Sequence, residues 1–398
     1  MLQHDFDESI DRSGTFSMKW DAYPQGVIPM WVADTDFKSP QPVIDALAKR
    51  VAHGVFGYTW GHGSFERSTK AWLSRRFGWD IDTAWVEFVP SVVTGLAMAV
   101  RALSMPGDNV VMLTPTYPPF FTVTEANGRK IASSSLVWRD GAWQVDFLDL
   151  EARLADPKSS LFLFCNPHNP CGRCFTRREL LRIGELCLRH KVSVLSDEIH
   201  ADFIHQGTHI PFPALSPEMA GISAVSINPS KTFNLPDLRV ASIITPGADM
   251  RAKIRKETVA AQFGRSSLSI LAYDVAYTEC DYYADQVREY LGKNIDYAVS
   301  YFNEKIPAIA AYKPEATYLL WLDCRELGLP QDQLVKFFIE KARVAFNSGT
   351  NFGPEGEGFM RMNLGCPLKT LKEALGRIER AVKELEKPAV QSFHSGGS

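Results

Sequence analysis

Five short, largely apolar runs, separated by segments with helical spacing, restrict what this chain can fold into more than any other feature. They are Val110–Leu113, Leu161–Phe164, Val192–Leu195, Ala224–Ile227 and Ala241–Ile244. A strand with one wet face alternates apolar and polar residues, whereas a strand covered on both faces stays apolar along its length. Between the runs apolar residues recur at helical spacing, as with Leu180, Leu181, Ile183, Leu186 and Leu188 within Arg177–Arg189. This alternation predicts an α/β fold, with a doubly wound and mostly parallel sheet, over residues 46–280.

The flanks read differently. Residues 1–45 are loop-rich, with Pro24, Pro29, Pro40 and Pro42, and read as an arm entering a helix from Val43 to His53. After residue 280 come a helical stretch from Asp281 to Lys305, a strand from Ala316 to Asp323, and helices from Gln331 to Ala342 and Leu368 to Leu385. That pattern predicts a smaller α+β domain over 281–388. The polar, glycine-rich tail 389–398 is expected to be disordered.

A formal net charge of -3 over 398 residues, with no basic block, points away from nucleic acid and anionic membrane as partners. No stretch approaches the ~20 apolar residues of a membrane span, and the N-terminus has no signal-peptide pattern, so a cytoplasmic protein is expected. Seven scattered cysteines, an odd number, read as reduced thiols. The Cys171–Cys174 pair follows two Asn-Pro steps and has no second ligand pair at zinc spacing, so no metal is expected.

The chemistry concentrates where runs end. Lys231 lies just past Ala224–Ile227, in Asn228-Pro-Ser230-Lys231-Thr232. Open α/β folds bind ligands at the carboxyl ends of their strands. A free lysine, with a pKa of about 10.4, is almost wholly protonated at pH 7, so a Schiff-base lysine needs surroundings that favour the neutral amine. A solvent-exposed loop lysine is the other reading. Asp197 closes the run through Val192–Leu195 and should emerge at the same edge, either as a salt-bridge or capping carboxylate or as the partner of a protonated pyridine nitrogen. Ser91-Val92-Val93-Thr94 reads as a turn into a helix whose free N–H groups suit a phosphate, or as an ordinary capped helix start. Arg361, in Gly-Phe-Met-Arg-Met-Asn, is either an exposed strand arginine or a buried fork for a carboxylate.

The order of these features resembles the fold-type I pyridoxal 5'-phosphate enzymes of the aminotransferase class I/II family. The matching strings are Asn166-Pro-His-Asn169-Pro-Cys-Gly172, Ser196-Asp197-Glu198-Ile199-His200, Ser230-Lys231-Thr232-Phe233-Asn234 and Arg361-Met-Asn363-Leu-Gly-Cys366-Pro367. The resemblance implies that Lys231 forms the Schiff base, Asp197 pairs with the ring nitrogen and Asn169 with the ring's phenolic oxygen. It places His200 nearby and Tyr117 stacked on the ring. The phosphate would be held by Val92, Val93, Asn228, Ser230 and Arg239, with Tyr58 reaching in from the second subunit of a homodimer. Arg361, with Ala33 and Asn169, would bind the amino-acid substrate.

Met30-Trp31-Val32-Ala33-Asp34 and Phe56-Gly57-Tyr58-Thr59 are further similar to the MalY/PatB-type cystathionine β-lyase branch. That implies α,β-elimination of L-cystathionine or another cysteine S-conjugate to a thiol, pyruvate and ammonia. Arg239 fits the phosphate-binding arginine of many aminotransferases, which keeps transamination as the alternative. A catalytically silent binding or regulatory protein would be expected to have lost part of this residue set.

Overall fold

The computed structural model describes residues 3–61 and 63–385. Its central sheet contains β1 (Val86–Val89), β2 (Asn109–Thr114), β3 (Lys130–Ser135), β4 (Ser159–Cys165), β5 (Ser193–Asp197), β6 (Ser223–Ile227) and β7 (Ala241–Ile244). Across the sheet their order is β1-β7-β6-β5-β4-β2-β3. β3, β2, β4, β5 and β6 pair in parallel.

β7 runs against both neighbours, β6 and β1, so of the five apolar runs four are parallel, in keeping with the mostly parallel sheet expected, and the fifth is not. The segment between β6 and β7 carries only the single helical turn Pro236–Leu238. Without a helix to cross back over the sheet, β7 pairs antiparallel beside β6. Burial on both faces makes parallel and antiparallel strands look alike in sequence. Because β7 is antiparallel to both its neighbours, β1 points the same way as β6, and every strand but β7 ends on one edge. Cys165 lies opposite Asp197, and Asp197 opposite Ser226, so β4, β5 and β6 stop level with one another.

Helix Val92–Leu103 packs close on this sheet. A Cβ on Gly95 would stand 3.0 Å from Ile243 Cδ1 and 3.1 Å from Val89 Cγ2, so the helix start is packed tightly against β1 and β7. Helix Arg177–His190 begins in a capping box between Thr176 and Glu179 and buries Leu180, Ile183 and Leu186.

The second sheet is antiparallel, in the order Ala310–Ala311, Leu319–Asp323, Phe359–Asn363, Asn347–Ser348. The strand expected from Ala316 begins only at Leu319, because Ala316 bridges to Ile204 and Thr317 takes a φ of 72°. The helix expected over Gln331–Ala342 is α-helical to Lys336 and then widens into a π turn. Helix Asp281–Lys305 gives Tyr283, Val287 and Leu291 to one core and Ile295, Ala298 and Phe302 to the other. The arm joins the second core through Ile28–Pro29, paired with Val344–Ala345. The helix expected from Val43 starts at Gln41, with a proline in its first turn. The tail 389–398 lies outside the described residues. Among those described, no helix is long and apolar enough to cross a membrane.

Candidate active site

The edge where the strands end collects the residues that the sequence singles out. Lys231 follows β6 by four residues and is half-buried. Its Nζ donates to the Ala33 carbonyl at 2.6 Å. Burial pushes its pKa down to about 8; the Arg361 charge acts in the same direction, while Asp34 and Asp197 oppose it. At neutral pH a substantial minority of such an amine is unprotonated, against about one in a few thousand for an ordinary lysine.

Asp197 ends β5, 2 % exposed. Its Oδ1 accepts from the Ile199 amide at 3.4 Å, and its Oδ2 has no partner. Burial raises this carboxyl to about 7, against the opposing pull of the Ile199 N–H and of Lys231. A buried carboxylate oxygen without a donor is costly. A protonated ring nitrogen set against Oδ2 would satisfy it, so this atom fits the cofactor that the resemblance implies. His200, three residues on, is also buried; its Nδ1 has no partner, and burial holds its pKa well below the ordinary value.

Arg361 is the central residue of strand Phe359–Asn363 and only 3 % exposed, so the exposed-strand alternative fails. Nη1 donates to Asn169 Oδ1 at 3.0 Å and Nη2 to the Trp31 carbonyl at 2.8 Å, while Nε has no partner. The guanidinium lies over the Phe352 ring, 4.8 Å from its centroid. Burial brings its pKa down to about 10. Among the described residues its contacts are thus an amide, a carbonyl and a ring, and a buried guanidinium without a counter-charge suits an incoming carboxylate.

Tyr117 caps helix Pro118–Ala126, and burial and the Asp197 charge raise its pKa. Val92 and Val93 open helix Val92–Leu103, whose cap Ser91 accepts from the Thr94 amide at 3.1 Å. The Val92 and Val93 amides precede the first intrahelical bond and are placed for an anion. On the Lys231 loop, Asn228 Oδ1 accepts from the Ser230 amide at 3.1 Å, and the Ser230 hydroxyl donates to the Leu235 carbonyl at 3.4 Å. Arg239 is exposed, in the left-handed region at φ 51°. Tyr58 does not join this group within one chain: its side chain is 109 % exposed.

Sequence reasoning missed Tyr318. It is fully buried, its hydroxyl donates to the same Ala33 carbonyl at 3.0 Å, and its ring centroid lies 6.0 Å from that of His200. A tyrosine among apolar strand residues carries no signal of its own, since the carbonyl it serves is 285 residues away. Phe352, under Arg361, was missed for the same reason. All seven cysteines are free and buried, and among the described residues no cluster of three or more His, Cys, Asp or Glu is arranged to hold a metal.

The pattern of the family described as aminotransferase class I and II matches residues 28–378. The cystathionine β-lyase PatB of Bacillus subtilis (strain 168) is 42% identical over 384 residues, covering 95% of this chain and 99% of PatB. Protein MalY of Escherichia coli (strain K12) is 34% identical over 95% of this chain and 99% of its own length. Among solved structures, cystalysin of Treponema denticola, which contains a pyridoxal 5'-phosphate cofactor, superposes with a TM-score of 0.94 at 34% identity, over 97% of this chain and 100% of that one.

Proposed function

The chain belongs to the class I and II aminotransferase family, pyridoxal 5'-phosphate enzymes of fold type I, and from that premise we propose how its residues carry out carbon–sulfur β-elimination. The observation that carries the reaction type is the 42% identity to PatB along 95% of this chain. The substrate is L-cystathionine or a related cysteine S-conjugate, and the products are a thiol, pyruvate and ammonia.

When bound, the cofactor supplies an aldehyde for amine condensation and a protonated ring that withdraws electrons from the amino acid's α carbon. Lys231 is the anchoring amine and, once displaced by substrate, the base that takes the Cα proton; a pKa near 8 suits a group that must be neutral to act. Asp197 offers its unpartnered Oδ2 to the ring nitrogen and keeps it protonated. Asn169 serves the phenolic oxygen and also steadies Arg361. Arg361 receives the α-carboxylate, which fixes the amino acid so that its Cα proton faces Lys231. Tyr117 stacks on the ring, with His200 nearby. The Val92 and Val93 amides, Asn228, Ser230 and Arg239 hold the phosphate, and Ala33 lies beside the substrate.

The same reading divides the chain into an arm (1–45), a large cofactor-binding unit (46–280) and a small unit (281–388). It makes the enzyme a cytoplasmic homodimer in which Tyr58 completes the partner's site. The exposed Val55, Phe56, Tyr58 and Trp60 support this, because large apolar side chains so close together favour being covered. Transamination is separated by one assay. Purified protein given L-cystathionine and no keto acid should release pyruvate steadily and lose that ability in Lys231→Ala; full activity in that variant would sink the assignment.

A further inference from the structure

Behind the carbonyl that receives Lys231 sits a group of four charges drawn from the first 36 residues. Lys19, 1 % exposed, places Nζ 2.9 Å from Asp36 Oδ2 and 3.6 Å from Asp34 Oδ1. Arg12 spans the same two carboxylates, at 2.8 Å from Asp34 Oδ2 and 2.7 Å from Asp36 Oδ1. Trp20 Nε1 adds a bond to Asp36 Oδ1 at 2.9 Å. Two cations thus balance two anions, and all four residues lie on the arm or the segment it packs against.

That segment, Trp31 to Phe37, is also tied to the site by side chains. Asn363 Nδ2 donates to the Val32 carbonyl at 2.6 Å and to that of Asp34 at 2.7 Å. Asn234, three residues past Lys231, donates to the Thr35 and Phe37 carbonyls at 2.9 Å and accepts from the Thr35 amide at 3.1 Å. Arg361 holds the Trp31 carbonyl. The Ala33 carbonyl, in the middle, takes bonds from both Lys231 and Tyr318.

We propose that Lys19 and Arg12 are positioning residues for Lys231: they offset the charge of Asp34 and, through Asp34 and Asp36, hold the segment whose Ala33 carbonyl aims the amine. The proposal rests on Lys231 being the reactive lysine and gives the N-terminal arm a part in its chemistry. The electrostatic logic follows from what faces that amine. Burial favours the neutral form, and Arg361 does so too. Asp34, next to Ala33, and Asp197, at the end of β5, favour the ammonium. His200 is held neutral by burial, and Tyr117 and Tyr318 keep their protons. Asp34 is the carboxylate whose field the arm can offset, and Lys19 and Arg12 are placed on it. Without them Asp34 would draw a proton onto Lys231 more strongly, and a protonated lysine is neither nucleophile nor base.

The test measures Lys231 itself. The full chain, freed of cofactor, is treated with acetic anhydride across a pH series, and acylation of the Lys231 peptide is followed by mass spectrometry against an exposed lysine. Wild type should titrate near pH 8. Lys19→Met should move the midpoint up by roughly half to one pH unit, and Asp34→Asn should move it down. The double variant should return toward wild type, and Lys19→Arg should stay there. A folded Lys19→Met protein with an unshifted midpoint would overturn the proposal. If Lys19→Met does not fold, Asp34→Asn and Arg12→Met decide it, since no downward shift in the first or no upward shift in the second is equally fatal. Failure of the functional reading looks different: Lys231→Ala would then keep its lyase activity while these midpoints still moved.

Discussion

At the scale of single residues, the site is a set of buried groups left incomplete by the protein alone. Asp197 has an oxygen without a donor, and Arg361 has a nitrogen without an acceptor. Replacing Arg361 by lysine keeps a charge but removes the planar fork. kcat/KM for cystathionine should fall by roughly a hundredfold, with most of the loss in KM if the guanidinium serves the carboxylate. Asp197 also makes the stability of the cofactor-free protein depend on pH. In cofactor-free protein its carboxyl titrates at about 7, whereas in the unfolded chain it titrates near about 3.9. Its contribution to stability is therefore full below pH 4 and is lost as pH rises through 7. Thermal unfolding of the cofactor-free protein should show this decline, and Asp197→Asn should flatten it.

At the scale of elements, position depends on how closely helix Val92–Leu103 approaches the sheet. A side chain at Gly95 would crowd Ile243 and Val89, which would have to give by a few tenths of an ångström even for a single Cβ. Gly95→Val should push the helix start away from β1 and β7, costing about 1–3 kcal/mol in unfolding free energy. It should also weaken cofactor retention, because the Val92 and Val93 amides move with the helix. Equilibrium dialysis of bound pyridoxal 5'-phosphate would read this, and unchanged retention would argue that the phosphate sits elsewhere. The turn at Gly172 shows the same closeness between the two sheets. Its φ is 68°, and a Cβ there would stand 2.4 Å from Pro314 Cβ and 3.1 Å from the Ala316 carbonyl. The β4 loop that carries Asn169 is thereby held against the segment leading to strand Leu319–Asp323, which pairs with the Arg361 strand.

At the scale of the whole molecule, the proposed homodimer predicts complementation. Lys231→Ala and Tyr58→Ala homodimers should each be inactive or nearly so. A dimer with one subunit of each kind has one intact site and one doubly damaged site. Unfolding and refolding an equimolar mixture should then restore roughly a quarter of wild-type activity, the share expected from random pairing in a two-fold dimer. No recovery beyond the sum of the separate variants would place Tyr58 outside the partner's site.

What could be read from the sequence follows from the range of the forces involved. Apolar runs and helical spacing are local patterns, so Leu161–Phe164, Ala241–Ile244 and the helices Asp281–Lys305 and Leu368–Leu385 were legible, as were the short strings around Lys231, Asp197 and Arg361. The direction of β7 was not, because a strand buried on both faces shows the same apolar run in either orientation. Nor was β1, interrupted by Glu87. Tyr318 and Phe352, and the contacts that join Arg12 and Lys19 to the Ala33 segment, depend on residues brought together by packing. The sequence alone determined the α/β class and singled out Lys231, Asp197 and Arg361 as candidates, because both readings rest on local residue pattern. Only the tertiary structure decided that Asp197 Oδ2 and Arg361 Nε would be buried without partners and that the arm's charges would stand behind Lys231, because desolvation and pairing depend on what the rest of the chain places around them.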